Sequence, residues 1–546
     1  FSHNSSKLNR ANRGRFGGLD AMTDQDKQKD VPNAGLGTVY LVGAGPGDPR
    51  LITLWGIQCL QKADVVIYDY LVNPALLEYA PKHARRIPLG HHSQGRVLSQ
   101  EEINDLILVA ARNAQTVVRL KGGDPLIFGR FAEEASFLRR QGIPTVIIPG
   151  ITAALAAASL AEIPLTHADQ ASAVAFVAGN EHSYKGESHL DYQALARFPG
   201  TLIYYMGVRS AAEWTRQLIA YGKSAATPVV LVRRCGWPDQ KVYKTTLGDL
   251  PQLIANAQIK PPAVIIVGET AREAPTEAWY VRQPLFGQCV LVTRAEEQAT
   301  ELRELLESLG AHVVIHPVIE ILPVSDWRPL DEAISSLDSY QWIVFTSGNG
   351  VRFFMERLFH LGADARRLRG VQLAVIGPGT AATLRQFGLR ADLVPGQFCA
   401  EKLAEELNRL PTRGRILLVR ASRGRPVLLD ELRKGGWDVN QVTAYESRDV
   451  TTISPEVERL LTEGRIHWVT ATSPSIATAV VRLFGNYLPR VRIASISPIT
   501  SAVLREHGFE PAAEAQTYTI PGVVDAIVEV VRRERDAQRR NIENSS

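Results

Sequence analysis

The sequence predicts an α/β protein in two halves, the second of them bilobed, on three observations. Short, wholly apolar segments alternate with helix-like ones from Val39 to about Glu269, the alternation lapses over residues 270–288, and the second half repeats itself at a constant shift. Apolar runs closed by Gly or Pro fit strands covered by helices on both faces. A chain of 546 residues is also too long for one core.

In chain order, residues 1–34 are polar, lack an apolar signal core and begin without methionine, whereas Met22 opens "MTDQDKQKD". A flexible leader is expected there. The strand candidates are "TVYLVGAG", "ADVVIYD", "TVVRLKGGDP", "IPTVIIPG", "SAVAFVAG", "TLIYYMG", "TPVVLVRR" and "PAVIIVG". The longest uncharged run, Gly142 to Ala161, reaches membrane-spanning length, but Pro144, Pro149 and Gly150 interrupt it. It reads as a buried strand, a turn and a helix, with a boundary between two α/β subdomains near residues 150–170. The proline-rich stretch "TAREAPTEAWYVRQPLFGQ" then closes a first domain of residues 35–281. A linker is expected over 282–288, a second domain over 289–535 and a polar tail over 536–546.

Within the second domain, "VLVTRAEEQATELRELLESLGAHVVIHPVIE" from Val290 lies over "ILLVRASRGRPVLLDELRKGGWDVNQVTAYE" from Ile416 at a shift of 126, pairing Arg294 with Arg420 and Gly310 with Gly436. The same shift sets Thr346 and Ser347 over Thr472 and Ser473, and a third block sets Thr380 over Thr500. Two similar α/β lobes facing each other are the economical structure, and such pairs bind ligands in the cleft.

The net charge of +4 is too small to argue for nucleic acid, though it suits an acidic small molecule. Cys59, Cys235, Cys289 and Cys399 have no metal-ligand spacing, which points to reduced thiols and the cytoplasm, with no metal.

The opening motif "VYLVGAGPGDPR", followed roughly 20 residues later by Asp69, invites a dinucleotide reading. Yet its glycines run G-x-G-x-G at 43, 45 and 47, and Asp48 would oppose a pyrophosphate at a helix start. A nicotinamide oxidoreductase is therefore the alternative.

The strings "VYLVGAGPGDPRLITLWGIQCLQKADVVIYDYLV", "VVRLKGGDPLIFGRFAEEASFLRRQGIPTVIIPGITAALAAASLAEIPLTH" and "YYMG" resemble the uroporphyrinogen-III C-methyltransferases of the tetrapyrrole methylase family, over about Thr38 to Val281. The resemblance implies a methylase fold of two α/β subdomains with S-adenosyl-L-methionine as methyl donor, held by Pro46, Gly122, Gly123, Asp124, Ile127, Thr152, Ala153, Met206 and, through its backbone, Cys235. Read as residues alone, Gly122 and Gly123 could be a simple turn and Met206 a core filler. The resemblance implies Asp69 as proton acceptor, the other reading being a helix cap. Where the family has a lysine proton donor, "PLGHHSQGR" places His91, with His92 beside it. Arg119, Lys121 and Arg130 are candidates for the substrate's carboxylates. A homodimer through this half is a further implication.

The pieces "VLVTR", "FTSGNGV", "AVIGPGTAATL", "LLVRA", "VTAYES" and "TSPS" resemble uroporphyrinogen-III synthase over about Leu285 to Val531. This implies a synthase fold with one lobe of about 285–325 plus 447–535 and another of 326–446. It also implies a role for Tyr445 at the departing hydroxyl of hydroxymethylbilane, with a half-buried structural tyrosine as the other reading. Thr346, Ser347, Thr380, Ser473 and Thr500 would bind substrate carboxylates or cap helices. Together these imply a bifunctional enzyme that makes uroporphyrinogen III and methylates it twice to precorrin-2, for sirohaem or cobalamin. A synthase half reduced to a tetrapyrrole-binding module is the non-enzymatic alternative for that half.

Overall fold

The computed structural model describes residues 36–90, 98–180 and 189–543, and divides between Pro275 and Thr276 into two compact units. In the first unit, β1 (Thr38–Gly43), β2 (Val65–Tyr68), β3 (Arg85–Pro88), β4 (Thr116–Lys121) and β5 (Thr145–Ile148) form a parallel sheet in the order β3-β2-β4-β1-β5. The central strands are largely apolar because both faces are covered: Val42, Val66 and Val118 face one core, and Leu41, Ile67 and Val117 the other, while the edge strand β3 is mostly exposed.

The run Gly142 to Ala161 forms β5, a turn and the helix Ala153–Leu160. Beyond it, β6 (Val174–Ala178), β7 (Thr201–Tyr205), β8 (Pro228–Arg233), β9 (Lys241–Thr246) and β10 (Ala263–Val267) make a second sheet in the order β6-β7-β10-β8-β9. Only β6 and β7 pair in parallel there, and the alanine-rich helix packs on this sheet beside Ile203, Val230 and Ile266.

The second unit holds β11 (Cys289–Val292), β12 (His312–Ile315), β13 (Ile319–Pro323), β14 (Trp342–Phe345), β15 (Gln372–Val375), β16 (Arg415–Ala421), β17 (Asp438–Asp449), β18 (Trp468–Ala471), β19 (Arg492–Ser495) and β20 (Ala513–Glu514). They form two sheets, β12-β11-β18-β19-β20 and β13-β17-β16-β14-β15. The sequence repeat is visible as topology. The shift of 126 carries β11, β12 and β14 onto β16, β17 and β18, and the third block carries β15 onto β19, so β12-β11-β18-β19 in one lobe answers β17-β16-β14-β15 in the other.

Two expected boundaries move. The crossing between lobes falls before β13 rather than at 325, because Ile319–Pro323 pairs antiparallel with the end of β17, which itself runs on to Asp449. Residues 282–288 are not a free linker: Leu285 is fully buried in the second unit, and Arg535 donates to the carbonyls of Gln283 and Phe286 at 3.0 and 2.6 Å. Arg535 lies on the helix Ile520–Glu543, which takes up most of the expected tail. Among the described residues, no helix is long and apolar enough to cross a membrane.

Candidate active site

In the first unit, the opening motif leaves β1 and meets the "KGGD" turn that leaves β4. The amides and carbonyls of Gly45 and Gly123 bond reciprocally at 3.1 and 3.0 Å. A Cβ on Gly47, whose φ is +73°, would lie 2.4 Å from the Cys235 carbonyl oxygen, so this glycine allows two backbones to touch. Asp48 does not face a ligand phosphate: it caps the short helix Pro49–Leu51 and pairs with Arg50 at 2.6 Å. The motif therefore packs the unit's two subdomains against each other, and half-buried Pro46 borders the join.

The residues expected at the methyl donor gather around this junction. Gly123 is buried but uncrowded: a Cβ there would meet nothing nearer than 3.8 Å. Asp124 is spent on backbone, accepting from the amides of Leu126 at 2.8 Å and Gly150 at 2.9 Å, which sets the turn carrying Gly122 and half-buried Ile127. Thr152 shares a 2.6 Å hydrogen bond with the Tyr205 hydroxyl, which also accepts from the Ala154 amide, so Tyr205 fixes the start of the helix that begins at Ala153. Met206 is 50% exposed at a left-handed φ of +56°, the opposite of a core filler. Cys235 is buried, its thiol pushed up to about 12 by desolvation and 3.9 Å from the Ala153 carbonyl, so only its backbone is available for polar contact.

Two further aromatic residues belong to this site. Phe128 and Phe176 are exposed and lie 5.0 and 5.8 Å from the Tyr205 ring. Phe128, Arg130 and Arg234, like Met206, hold left-handed backbone, and such strain in non-glycine residues concentrates at functional sites. Tyr205 stood in the quoted "YYMG", but nothing in the string distinguishes it from its buried neighbour Tyr204.

Asp69 follows β2 and is 29% exposed; its Oδ1 lies 2.6 Å from Nη2 of Arg119 on β4. The same nitrogen lies 3.3 Å from Glu134, and Glu134 takes Lys121 at 2.7 Å. Arg119, Lys121 and Glu134 are almost wholly buried, a set of two cations and two carboxylates with Asp69 at its open edge. Burial works against the Arg119 charge, but Asp69 and then Glu134 outweigh it and raise its pKa. The Lys121 ammonium is pulled down by burial and by Arg119.

Expectation and structure differ at two points here. Arg119 and Lys121 are buried and do not reach out to substrate carboxylates, because Asp69 and Glu134 hold them. Asp69 is not a helix cap either; the next helix, Pro74–Tyr79, is capped by Asn73. Arg130 is exposed at the start of the helix Phe131–Arg140. His91 and His92 lie outside the described residues.

In the second unit, Tyr445 and Ser347 come together. Their hydroxyls are 2.9 Å apart, and Ser347 caps the helix Gly348–His360 by accepting from the Gly350 amide. The Tyr445 ring is 6% exposed and stacks on Phe353 at 5.6 Å. Burial raises its pKa against hydrogen bonds from Ser347 and Asn349. Ser473 repeats the arrangement in the other lobe, capping Pro474–Phe484. Thr346 is half-buried just before its helix.

Thr380 and Thr500 depart from both readings. Each sits three residues past its helix cap and is buried, Thr500 completely; the caps are Gly377 and Ser497. Sequence reasoning also passed over Asn349, which accepts at 2.8 Å from Gln298 of the other lobe, and over Arg294, which donates to Gln298 at 3.4 Å. The signal was present: Arg294 and Arg420 were paired by the repeat, but as markers of register.

Residues 38–251 match the family Tetrapyrrole (Corrin/Porphyrin) Methylases, and residues 300–525 match Uroporphyrinogen-III synthase HemD. A porphyrin biosynthesis protein HemD of Ruminiclostridium josui is 32% identical over 90% of this chain and 98% of its own length. A uroporphyrinogen-III C-methyltransferase of Bacillus subtilis is 39% identical over 61% of this chain and 68% of its own. The solved uroporphyrin III C-methyl transferase of Thermus thermophilus is 38% identical, covering 43% of this chain and 94% of its own with a TM-score of 0.38. The chain belongs to the family of porphyrin biosynthesis enzymes that join a tetrapyrrole methylase domain to a uroporphyrinogen-III synthase domain.

Proposed function

We propose that the second unit closes hydroxymethylbilane to uroporphyrinogen III with loss of water, and that the first unit methylates this product twice, at carbons 2 and 7, to precorrin-2. The observation that most supports it is the partly open Asp69 carboxylate held 2.6 Å from buried Arg119. S-adenosylmethionine, the donor this reading requires, fits the residues there. Gly123 has no side chain to crowd the turn, and Met206, Phe128 and Phe176 supply an exposed soft and aromatic wall. When bound, the donor supplies an electrophilic methyl group.

Methylation of a pyrrole carbon leaves a proton to be removed, and Asp69 is the base proposed to take it. Arg119 orients that carboxylate through a charge-assisted bond, while Glu134 and Lys121 balance the buried charge behind it. In the second unit Tyr445, kept protonated by burial, donates its O–H to the departing hydroxyl. The turns at Thr346, Ser347 and Ser473 offer hydroxyls and helix N-termini to substrate carboxylates, and holding the reactive chain in the closing geometry supplies much of the rest. Because one unit's product is the other's substrate, the fusion has a chemical logic.

The test supplies uroporphyrinogen III and isotopically labelled S-adenosylmethionine to the purified chain and counts labelled methyl groups by mass. Two per macrocycle are expected; one or none opposes the reading.

A further inference from the structure

Among the described residues, the buried polar atoms of the first lobe of the second unit that lack a hydrogen-bond partner include three that follow neighbouring strands. They are Nε of Arg294, Nε2 of His316 and Oγ1 of Thr472. Arg294 lies two residues beyond β11, His316 one beyond β12 and Thr472 one beyond β18, and these strands are neighbours in the order β12-β11-β18. All three therefore stand at the carboxyl ends of adjacent parallel strands, where open α/β sheets bind their ligands. Buried polar groups in a folded protein are nearly always satisfied, so these atoms at neighbouring strand ends are available to a bound ligand, while the His316 ring also bonds the Thr452 backbone.

The nature of that partner follows from the charge. Arg294 makes no ion pair among the described side chains, and its one hydrogen bond is the 3.4 Å contact with Gln298. Its repeat mate Arg420 is better supplied, donating to Gln441 and to the Arg425 carbonyl. Burial pulls the Arg294 guanidinium down against Glu301. A half-buried cation so placed favours an anion, and a planar fork favours a carboxylate. Gln298 also bonds Asn349 of the other lobe at 2.8 Å, so Arg294 stands at the seam between lobes and one link from the residues around Tyr445.

We propose that Arg294, with Thr472 and His316 beside it, is a substrate-carboxylate anchor of the synthase unit that fixes one acidic side chain of the linear tetrapyrrole across the seam from Tyr445. This rests on the synthase reading given above.

The test uses the full chain without S-adenosylmethionine and measures isomer-resolved steady-state kinetics on hydroxymethylbilane. Arg294→Gln is expected to raise KM about ten-fold or more while leaving kcat within about three-fold, as loss of one charge-assisted bond to bound substrate requires. Arg294→Lys should fall between that variant and the parent. Arg366→Gln, which removes a cation that is 92% exposed and paired with its neighbour Asp364, should change neither constant. An unchanged KM in Arg294→Gln would overturn the proposal. So would a lowered unfolding temperature in Arg294→Gln together with unaltered kinetics in Arg294→Lys, which would assign the residue to lobe packing. A parent chain that forms only the type I isomer would remove the synthase reading itself, and this inference with it.

Discussion

Nη2 of Arg119 lies 2.6 Å from Oδ1 of Asp69 and 3.3 Å from Oε1 of Glu134, so one buried guanidinium joins a partly exposed candidate base to a carboxylate in the interior. Replacing Arg119 by Leu leaves Glu134 with Lys121 alone and Asp69 with no cation, which is expected to cost about 3–5 kcal/mol of stability. Arg119→Lys should recover part of the stability but less of the methylation rate, because an ammonium does not reproduce the fork. Chemical unfolding together with methyl-transfer assays checks both. Equal methylation by Arg119→Leu would oppose the positioning role.

The two glycine turns separate packing from pocket. Gly47→Ala places a Cβ 2.4 Å from a carbonyl oxygen at a left-handed φ, and a loss of about 2 kcal/mol or more is expected. Gly123→Ala also meets a left-handed φ, yet nothing lies within 3.8 Å, so a loss nearer 1 kcal/mol is expected, with methyl-donor binding reduced more than stability. Unfolding curves and calorimetric titration with S-adenosylhomocysteine distinguish the two.

Tyr445→Phe keeps the ring stacked on Phe353 and removes the hydroxyl that meets Ser347. Stability should change by about 1 kcal/mol, and uroporphyrinogen III formation should slow about ten-fold or more as the proposed proton donor is lost.

The thiols should divide by burial. Desolvation raises Cys59 and pushes Cys235 and Cys289 to about 12, while Cys399 is half-buried. A disulfide-exchange reagent added to native protein should therefore label Cys399 first and the other three only on unfolding, as peptide mapping can verify.

Acid should weaken the second unit. The Asp331 carboxylate is held below its ordinary range by Arg357, and that of Asp449 by Arg423 and then Arg482. Because each folded pKa lies below the unfolded one, the stabilisation is complete above about pH 4 and is lost as pH falls through the folded value. Allowing for solvent, each contributes about 1 kcal/mol. Urea unfolding at pH 7 and pH 3 should show Asp331→Asn and Asp449→Asn less acid-sensitive than the parent.

The alternation of strands is legible in the sequence because both faces of all four sheets are covered, leaving apolar runs such as "VVIY" and "ILLV". The repeat is legible because the lobes keep the same strand order. The lobe crossing is not, since β13 belongs to its sheet through antiparallel pairing with distant β17. The Arg119 network is equally hidden: its partners come from β2 and from the helix Phe131–Arg140, and only the register that sets Ile67 beside Arg119 brings them together. Thr380 and Thr500 mislead because they lie within a helix turn of the cap, and only backbone geometry distinguishes Gly377 and Ser497 as the capping positions.

Sequential action of both units on one tetrapyrrole is tested most directly by giving the purified chain hydroxymethylbilane with and without S-adenosylmethionine and resolving the products by absorbance and mass. Uroporphyrinogen III is expected without the donor and its doubly methylated derivative with it. Formation of the type I isomer alone, or of uroporphyrinogen III that stays unmethylated when the donor is present, would contradict it.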